Sequence, residues 1–206
     1  MSVREIELRR FDGTFVVGQL HDEIVPVHLL LVEQQWIGRR VELATELQRL
    51  GVAPERWPES LGWSWAKKAP QLMLLEATGF AISHDGKWQG AMLTKSATHM
   101  SRHANSTGKP LIYVDFVEVA PWNWVIEDIG QSPQFKGVGP TLLREAVLLS
   151  KREEFGGRVG LHSLPQAEKF YQGPCGMEPM GRDAAKENLM YFELTTEGAE
   201  RFLNGG

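Results

Sequence analysis

Cysteine is almost missing from this sequence: Cys175 is the only one. A lone thiol closes no internal disulfide, so nothing asks for an oxidising compartment. An excess of one charge is missing too. The 22 Lys and Arg face 26 Asp and Glu, for a formal net charge of −4. The signs are evenly spread, with 9 basic and 11 acidic residues up to Glu76 and 13 and 15 beyond it. That spread argues against gripping a phosphate backbone over a wide surface, and so against a nucleic-acid partner. No apolar run approaches the ~20 residues of a membrane span. The longest, Ile24 to Val32, is interrupted by Pro26 and His28, and Met1 to Arg10 is charged and lacks the apolar stretch of a secretion signal. Internal repeats and low-complexity linkers are absent. The expectation is a soluble cytoplasmic protein that binds neither membrane nor nucleic acid. With 206 residues, 42% of them hydrophobic and 23% charged, the chain is long enough for one domain with a real core.

What is present reads as alternating strands and helices. Ile6 to Arg10 and Thr14 to Leu20 flank Asp12-Gly13, a dipeptide suited to a tight hairpin. Val41 to Leu50 carries apolar residues at helical spacing and stops at Gly51. Trp57, Trp63 and Trp65, between Pro54 and Pro70, read as a helix or loop anchored on the domain. Thr78 to His84 and Trp88 to Thr94 flank Asp85-Gly86, a second hairpin. Ser96 to Lys109 is polar and reads as a loop with little order of its own. Leu111 to Val119 is the most strand-like run. A helix (Val138 to Glu154), a strand (Arg158 to Leu164), a helix opened by Pro165 and a strand (Leu189 to Leu194) complete the reading.

The segment with chemical content is Gln134-Phe135-Lys136-Gly137-Val138-Gly139, which opens the helix holding Leu142, Leu143, Ala146 and Val147. Glycine at a helix start lets N–H groups converge on one anion, and the helix dipole adds positive charge there, which suits a phosphate or pyrophosphate. The run is neither the G-x-x-x-x-G-K-[ST] of a P-loop nor the G-x-G-x-x-G of a dinucleotide fold, so ATP and NAD are disfavoured.

Upstream stands Val117-Glu118-Val119-Ala120-Pro121. Downstream stand Ala167, Phe170, Tyr171, Gly176 and Met177. Together with the glycine loop these resemble the GNAT acyltransferase superfamily, whose members carry a [LIV]-x-V-x-P strand end, an [RQ]-x-x-G-x-[GA] loop and an A-x-x-(F/L)-Y-x-x-x-G-(F/M) helix. The resemblance covers roughly Ala77 to Thr195. The sequence departs from the pattern at Phe135, where glycine is frequent, and at Pro140, which removes one N–H. It departs also in the stretch from Trp122 to Pro133, read as a lid or substrate wall, and in the extra residue before Gly176.

The resemblance implies an α/β (α+β) fold: a mixed, mostly antiparallel sheet of six to seven strands, with a splayed central parallel pair and flanking helices. It implies a single domain over 1–206, with a variable part at 1–76 and an acetyl-CoA-binding core at 77–195. Acetyl-CoA would be the co-substrate, with no metal. Backbone groups of Val117 and Val119 would hold its pantetheine, and amides of Gln134, Phe135, Lys136, Gly137, Val138 and Gly139 its pyrophosphate. Tyr171 would be the acid near the thiol. The implied activity is N-acetyl transfer to a primary amine, most simply a small molecule, by direct attack; the alternative is a weak or inactive CoA-binding or regulatory module of the same fold. A homodimer is compatible with either.

For the base, strand alternation puts Tyr113, Asp115, Val117 and Val119 on one side and Glu118 on the other. The family's parity selects Asp115, whose expected desolvation would make it a better base; Glu118 through a bulge, or a water, stays open. His99 and His103, four apart, read as loop residues rather than a zinc pair. His162 faces either the cleft or the core. Trp122 and Trp124 either pack or stack on an acceptor.

Overall fold

The computed structural model describes residues 2–96 and 98–205; Met1, Ala97 and Gly206 lie outside the described residues. Strands β1 (Ser2–Arg10) and β2 (Phe15–Asp22) form the first hairpin, closed where Asp12 Oδ1 accepts from the Thr14 amide at 2.9 Å. Helix α1 runs Pro26–Arg49, 24 residues, far longer than the helix expected from Val41. Pro26 reads as an interruption in the sequence but sits in the first helical turn, where its missing N–H costs nothing. The buried residues Leu29, Val32, Trp36, Arg40, Leu43 and Leu47 then recur every three to four positions along one face. A short helix α2 (Trp65–Lys68) is capped by Ser64, and its Trp65 is fully buried.

Strands β3 (Ala77–His84) and β4 (Lys87–Lys95) meet at Asp85 and Gly86, with φ of 48° and 71°, the paired positive values of a two-residue hairpin turn. After β5 (Ile112–Val119) come a two-residue strand β6 (Phe135–Lys136) and helix α3 (Val138–Arg152). The chain closes with β7 (Val159–Ser163), α4 (Glu168–Gln172), β8 (Glu178–Asp183), β9 (Leu189–Leu194) and α5 (Thr196–Leu203). Among the described residues, hydrogen bonding orders nine strands as β6-β1-β2-β3-β4-β5-β7-β9-β8, mostly antiparallel with β5 and β7 as the parallel pair. The two strands beyond the expected seven include β8, whose Pro179 and Gly181 mask it in the sequence and mark a bulge. Among the described residues no helix is long and apolar enough to cross a membrane.

The chain forms two compact units. The first holds everything up to Leu75 with Gly79–Met92 and Val117–Leu142; the second holds Glu76–Thr78, Leu93–Phe116 and everything from Leu143 onward. In the first unit Leu43 and Leu47 of α1 pack on Trp124 and Ile126, with Val52, Trp57, Leu61, Val119 and Ile129 around them. The stretch from Trp122 to Pro133 is thus packed rather than a free lid. Arg39 holds it through Gln131 at 2.6 Å, and Arg56 through Asp128 at 2.6 Å.

In the second unit the 98–110 segment is more ordered than its polar sequence suggests. Glu193 of β9, 2% exposed, accepts from Ser101 Oγ at 2.7 Å and from the amides of Arg102 at 2.5 Å and His103 at 3.2 Å. One buried carboxylate thereby supplies the partners that a loop backbone otherwise finds in water. Glu193→Ala is expected to cost about 3 kcal/mol, the scale of hydrogen bonds to a charged group. Urea unfolding measures that loss, and faster exchange of the Arg102 and His103 amides localises it.

Candidate functional site

The glycine loop lies in the first unit, stitched into the sheet by β6. Arg9 and Arg10 of β1 pair with Lys136 and Phe135, and the Phe135 ring is buried edge-on to His84 at 5.2 Å. Two expected anion donors are taken within the chain. The Gln134 amide donates to Trp122 O at 3.2 Å and the Phe135 amide to Asn123 Oδ1 at 2.9 Å. These two residues therefore leave the set of open amides. Gly137 has φ of 83°, a conformation side chains resist, and nothing lies within 4 Å of where its Cβ would be. Its carbonyl accepts from Thr141 N at 3.0 Å, which makes it the residue from which α3 starts. Helix geometry gives the Val138 and Gly139 amides no partner inside the helix, and Pro140 has no N–H to offer. The open donors thus narrow to the segment from Gly137 to Gly139.

Helix α3 is held close to β4 by a small residue. A Cβ on Gly90 would come within 2.7 Å of Val138 Cγ1 and 3.0 Å of Leu142 Cδ1, so only glycine lets the first turn settle there. The Lys136 ammonium lies over the Phe11 ring at 4.4 Å, at the strand pair that also carries Arg9 and Arg10.

On β5, Val117 and Val119 fall in the first unit. The Trp124 indole donates to Val119 O at 3.1 Å, which uses one of that carbonyl's lone pairs. Between them Glu118, which sequence parity disfavours, is 5% exposed and bound on one oxygen by Arg40 Nη2 at 2.7 Å and Trp65 Nε1 at 2.6 Å. Arg40 also donates to the Trp63 carbonyl and faces Glu33 at 3.8 Å. Burial pushes the Glu118 carboxyl up to about 7, against the pull of Arg40, Ser60 and Trp65. The sequence signal for this network is an arginine on the apolar stripe of α1, four residues after Trp36.

Asp115 and Tyr171 fall in the second unit. β5 and β7 pair only through Ile112↔Val159, Tyr113↔Gly160 and Val114↔Leu161, although β5 continues to Val119 and β7 to Ser163. Asp115 and His162 are the first residues past the last pair. Asp115 carries the Lys95 ammonium at 2.6 Å. The sequence reading places Asp115 among apolar neighbours, whereas the structure gives it a cation as its partner. Tyr171 of α4 is buried against Phe192 at 6.1 Å between ring centres, and burial raises its phenol above the ordinary tyrosine range. Cys175 is buried as well, its thiol pushed up to about 12. A phenol so raised is a poor proton source and a good hydrogen-bond donor.

His99 stacks on the Tyr113 ring, centres 3.8 Å apart and planes 8° from parallel, whereas His103 meets Glu178 at 3.2 Å. The two histidines thus turn to different partners. His162 lies on the face that carries Tyr113 and Tyr191.

No protein-family model and no curated protein matches the chain. Solved structures are similar in fold. The aminoglycoside acetyltransferase AAC(6')-Ib, in complex with coenzyme A and kanamycin, matches with a TM-score of 0.53 at 16% identity, over 89% of this chain and 98% of that one. A putative GNAT-family acetyltransferase of Desulfovibrio desulfuricans matches at 0.53 and 15% identity, over 87% and 99%. The PaiA N-acetyltransferase of Thermoplasma acidophilum, in complex with coenzyme A, matches at 0.50 and 14%, over 85% and 97%. The chain has the GNAT fold.

Arg40→Met removes the cation facing Glu118 and is expected to cost about 3–5 kcal/mol at pH 8, where the parent's carboxylate is charged and the variant must strand it or protonate it against the pH. The loss is smaller at pH 5.5, because a group whose folded pKa is about 7 takes up a proton there and escapes the penalty. Urea unfolding at both pH values checks the difference and its sign.

Proposed function

We propose that this protein is an acetyl-CoA-dependent N-acetyltransferase acting on a primary amine, most simply a small molecule. The observation that carries the reading is the parallel pair that parts after Val114 and Leu161 inside a GNAT fold. Past that point the facing edges of two strands make no bonds to each other, and an extended ligand rich in amides can use them as an added strand would. The chain's open groups fit such a ligand. In the first unit, the amides from Gly137 to Gly139 at the start of α3 suit a pyrophosphate, with Lys136 in the same segment. Val117, and Val119 through its amide and remaining lone pair, suit pantetheine amides. In the second unit, Tyr171 suits a hydrogen bond to the sulfur.

Bound acetyl-CoA supplies an activated acetyl group as a thioester. The protein's own residues then have two tasks. One group must accept the amine's proton, since only the neutral amine attacks, and Asp115 is the carboxylate at the parting of the strands. Another must steady the charge that grows on the sulfur, which the raised phenol of Tyr171 does by donating a hydrogen bond. Kanamycin accompanies coenzyme A in one similar structure, which makes an amino sugar a sensible member of an acceptor panel.

A second reading has one observation in its favour. The Gln134 and Phe135 amides are already spent, and a loop with fewer donors fits a protein that binds coenzyme A without efficient turnover.

Acetyl-CoA at 100 times its dissociation constant is expected to stabilise the fold by about 2.7 kcal/mol, seen as a rise in melting temperature. Gly137→Asp, which adds charge and a side chain at the start of α3, is expected to abolish the rise; an unchanged rise in that variant would remove the loop assignment. Thiol release across an amine panel separates the two readings, because the binding module stabilises without releasing thiol. Tyr171→Phe is expected to lower kcat about tenfold or more with coenzyme A affinity kept. Equal losses in both would make Tyr171 a packing residue.

A further inference from the structure

The second unit holds a hydrogen-bonded chain that the proposed function does not use. Tyr113 Oη lies 2.8 Å from His162 Nδ1, and His162 Nε2 lies 3.2 Å from Asp183 Oδ2. Asp183 is fixed in turn by Arg102 Nη2 at 2.7 Å on the same oxygen and by the Ala185 amide at 3.0 Å on the other. Three strands contribute one member each: β5, β7 and β8. Two members are well enclosed, with Tyr113 3% exposed and the His162 side chain 4%, while Asp183 sits at the outer end with its side chain 16% exposed.

The direction of each bond follows from chemistry. Hydrogen bonds from Arg102 and Ala185 hold the Asp183 carboxyl at about 2, so it is ionised and can only accept. Nε2 of His162 must therefore carry the proton. Burial lowers the His162 pKa, so at neutral pH the ring has one N–H and Nδ1 is an acceptor. The Tyr113 hydroxyl then donates to Nδ1, accepts from the His162 amide and keeps one oxygen lone pair. An acid that orients an imidazole, which in turn draws on a hydroxyl, is the arrangement that activates serine in unrelated hydrolases, here with a phenol in the serine's place.

Position decides what the chain is for. His162 is the first β7 residue past the last β5–β7 pair, so the Tyr113 oxygen, bound to its ring, lies where the strands part. His99 covers one face of the Tyr113 ring.

We propose that Tyr113, His162 and Asp183 form the proton relay of the transfer reaction, with Tyr113 as the catalytic residue that meets the amine and His162 and Asp183 as positioning residues acting through it. The proposal rests on the acetyltransferase reading and replaces Asp115, held by Lys95, as the base. In the step, the amine nitrogen forms the N–C bond and the C–S bond breaks. The nitrogen's surplus proton passes to Tyr113 Oη as the phenol's own proton moves to His162 Nδ1. The imidazolium is held by Asp183 and resets by releasing one proton, which the departing thiolate takes up through solvent. Other charged or titratable groups face this site from the 98–110 segment (His99, Arg102), from β4 and β5 (Lys95, Asp115), from β9 (Tyr191, Glu193) and from the turn after β8 (Lys186). The cations among them add to burial in keeping the ring neutral.

The test uses the full chain with acetyl-CoA and a panel of tryptamine, spermidine, kanamycin and glycine, following thiol release. Tyr113→Phe and His162→Gln are each expected to lower kcat at pH 7 by about 100-fold, with the acetyl-CoA thermal shift within about twofold in affinity. The acidic limb of the parent's pH profile should vanish in His162→Gln, and Asp183→Glu should regain part of the activity lost in Asp183→Asn. Nitrogen NMR of the parent is expected to show His162 as the neutral Nε2–H form at pH 7. An Nδ1–H ring, a charged ring at pH 7, or thiol release within threefold of the parent in Tyr113→Phe overturns the relay and leaves the transferase standing. Absence of any acetyl-CoA shift or thiol release in the parent overturns the transferase reading, and the relay with it.

Discussion

A sheet satisfies its backbone by pairing, and a pair of strands that stops pairing midway leaves amides and carbonyls in need of partners. Here β5 and β7 bond over three residue pairs and then go their own ways. The proposed function follows from how that obligation is met. At the end of β5, Val119 lends a lone pair to the Trp124 indole, while the next residue, Ala120, bonds the other neighbour, β4, at Gln89 O at 2.9 Å. What those local bonds leave over is the backbone available to a ligand. A side-chain site could be abolished by one substitution, whereas this one is written into strand geometry.

The charged groups that face the interior follow a related logic. Glu118 and Glu193 are both almost fully buried carboxylates, yet they solve burial in different ways. Glu193 is surrounded by a hydroxyl and two main-chain amides, which stabilise a negative charge without a formal counter-ion. Glu118 has a cation in Arg40, yet desolvation still dominates and lifts its carboxyl toward neutrality. Asp183, near the surface and hydrogen-bonded by Arg102, moves the other way. Glu118 and Asp183, two carboxyl groups of one small protein, are thus moved in opposite directions by environment alone.

Much of the fold is legible in the sequence because it rests on local chemistry. Asp12-Gly13 and Asp85-Gly86 name their hairpins, and the Leu189 to Leu194 strand matches its apolar run to the residue. The misses have physical causes. Pro26 reads as a break but is a helix start, which hides the first half of α1. Pro179 and Gly181 veil β8 because an edge strand tolerates both. Of the candidate site, the glycine loop is legible because the turn into α3 needs a left-handed residue, and Gly137 supplies it. The consumption of the Gln134 and Phe135 amides is not legible, since their acceptors, Trp122 and Asn123, come from a stretch without family precedent. The Tyr113, His162 and Asp183 chain is invisible for another reason: its members lie 49 and 21 residues apart and meet only through the sheet.

The anchorage of the 98–110 segment has a consequence for how this protein can change over time. Glu193 holds the segment largely by its peptide groups at Arg102 and His103, and a peptide N–H is the same whatever residue bears it, proline excepted. Side chains along that stretch, including the one resting on Tyr113, can therefore drift without loosening the tether. New chemical preferences can be sampled over that face while folding is left largely undisturbed.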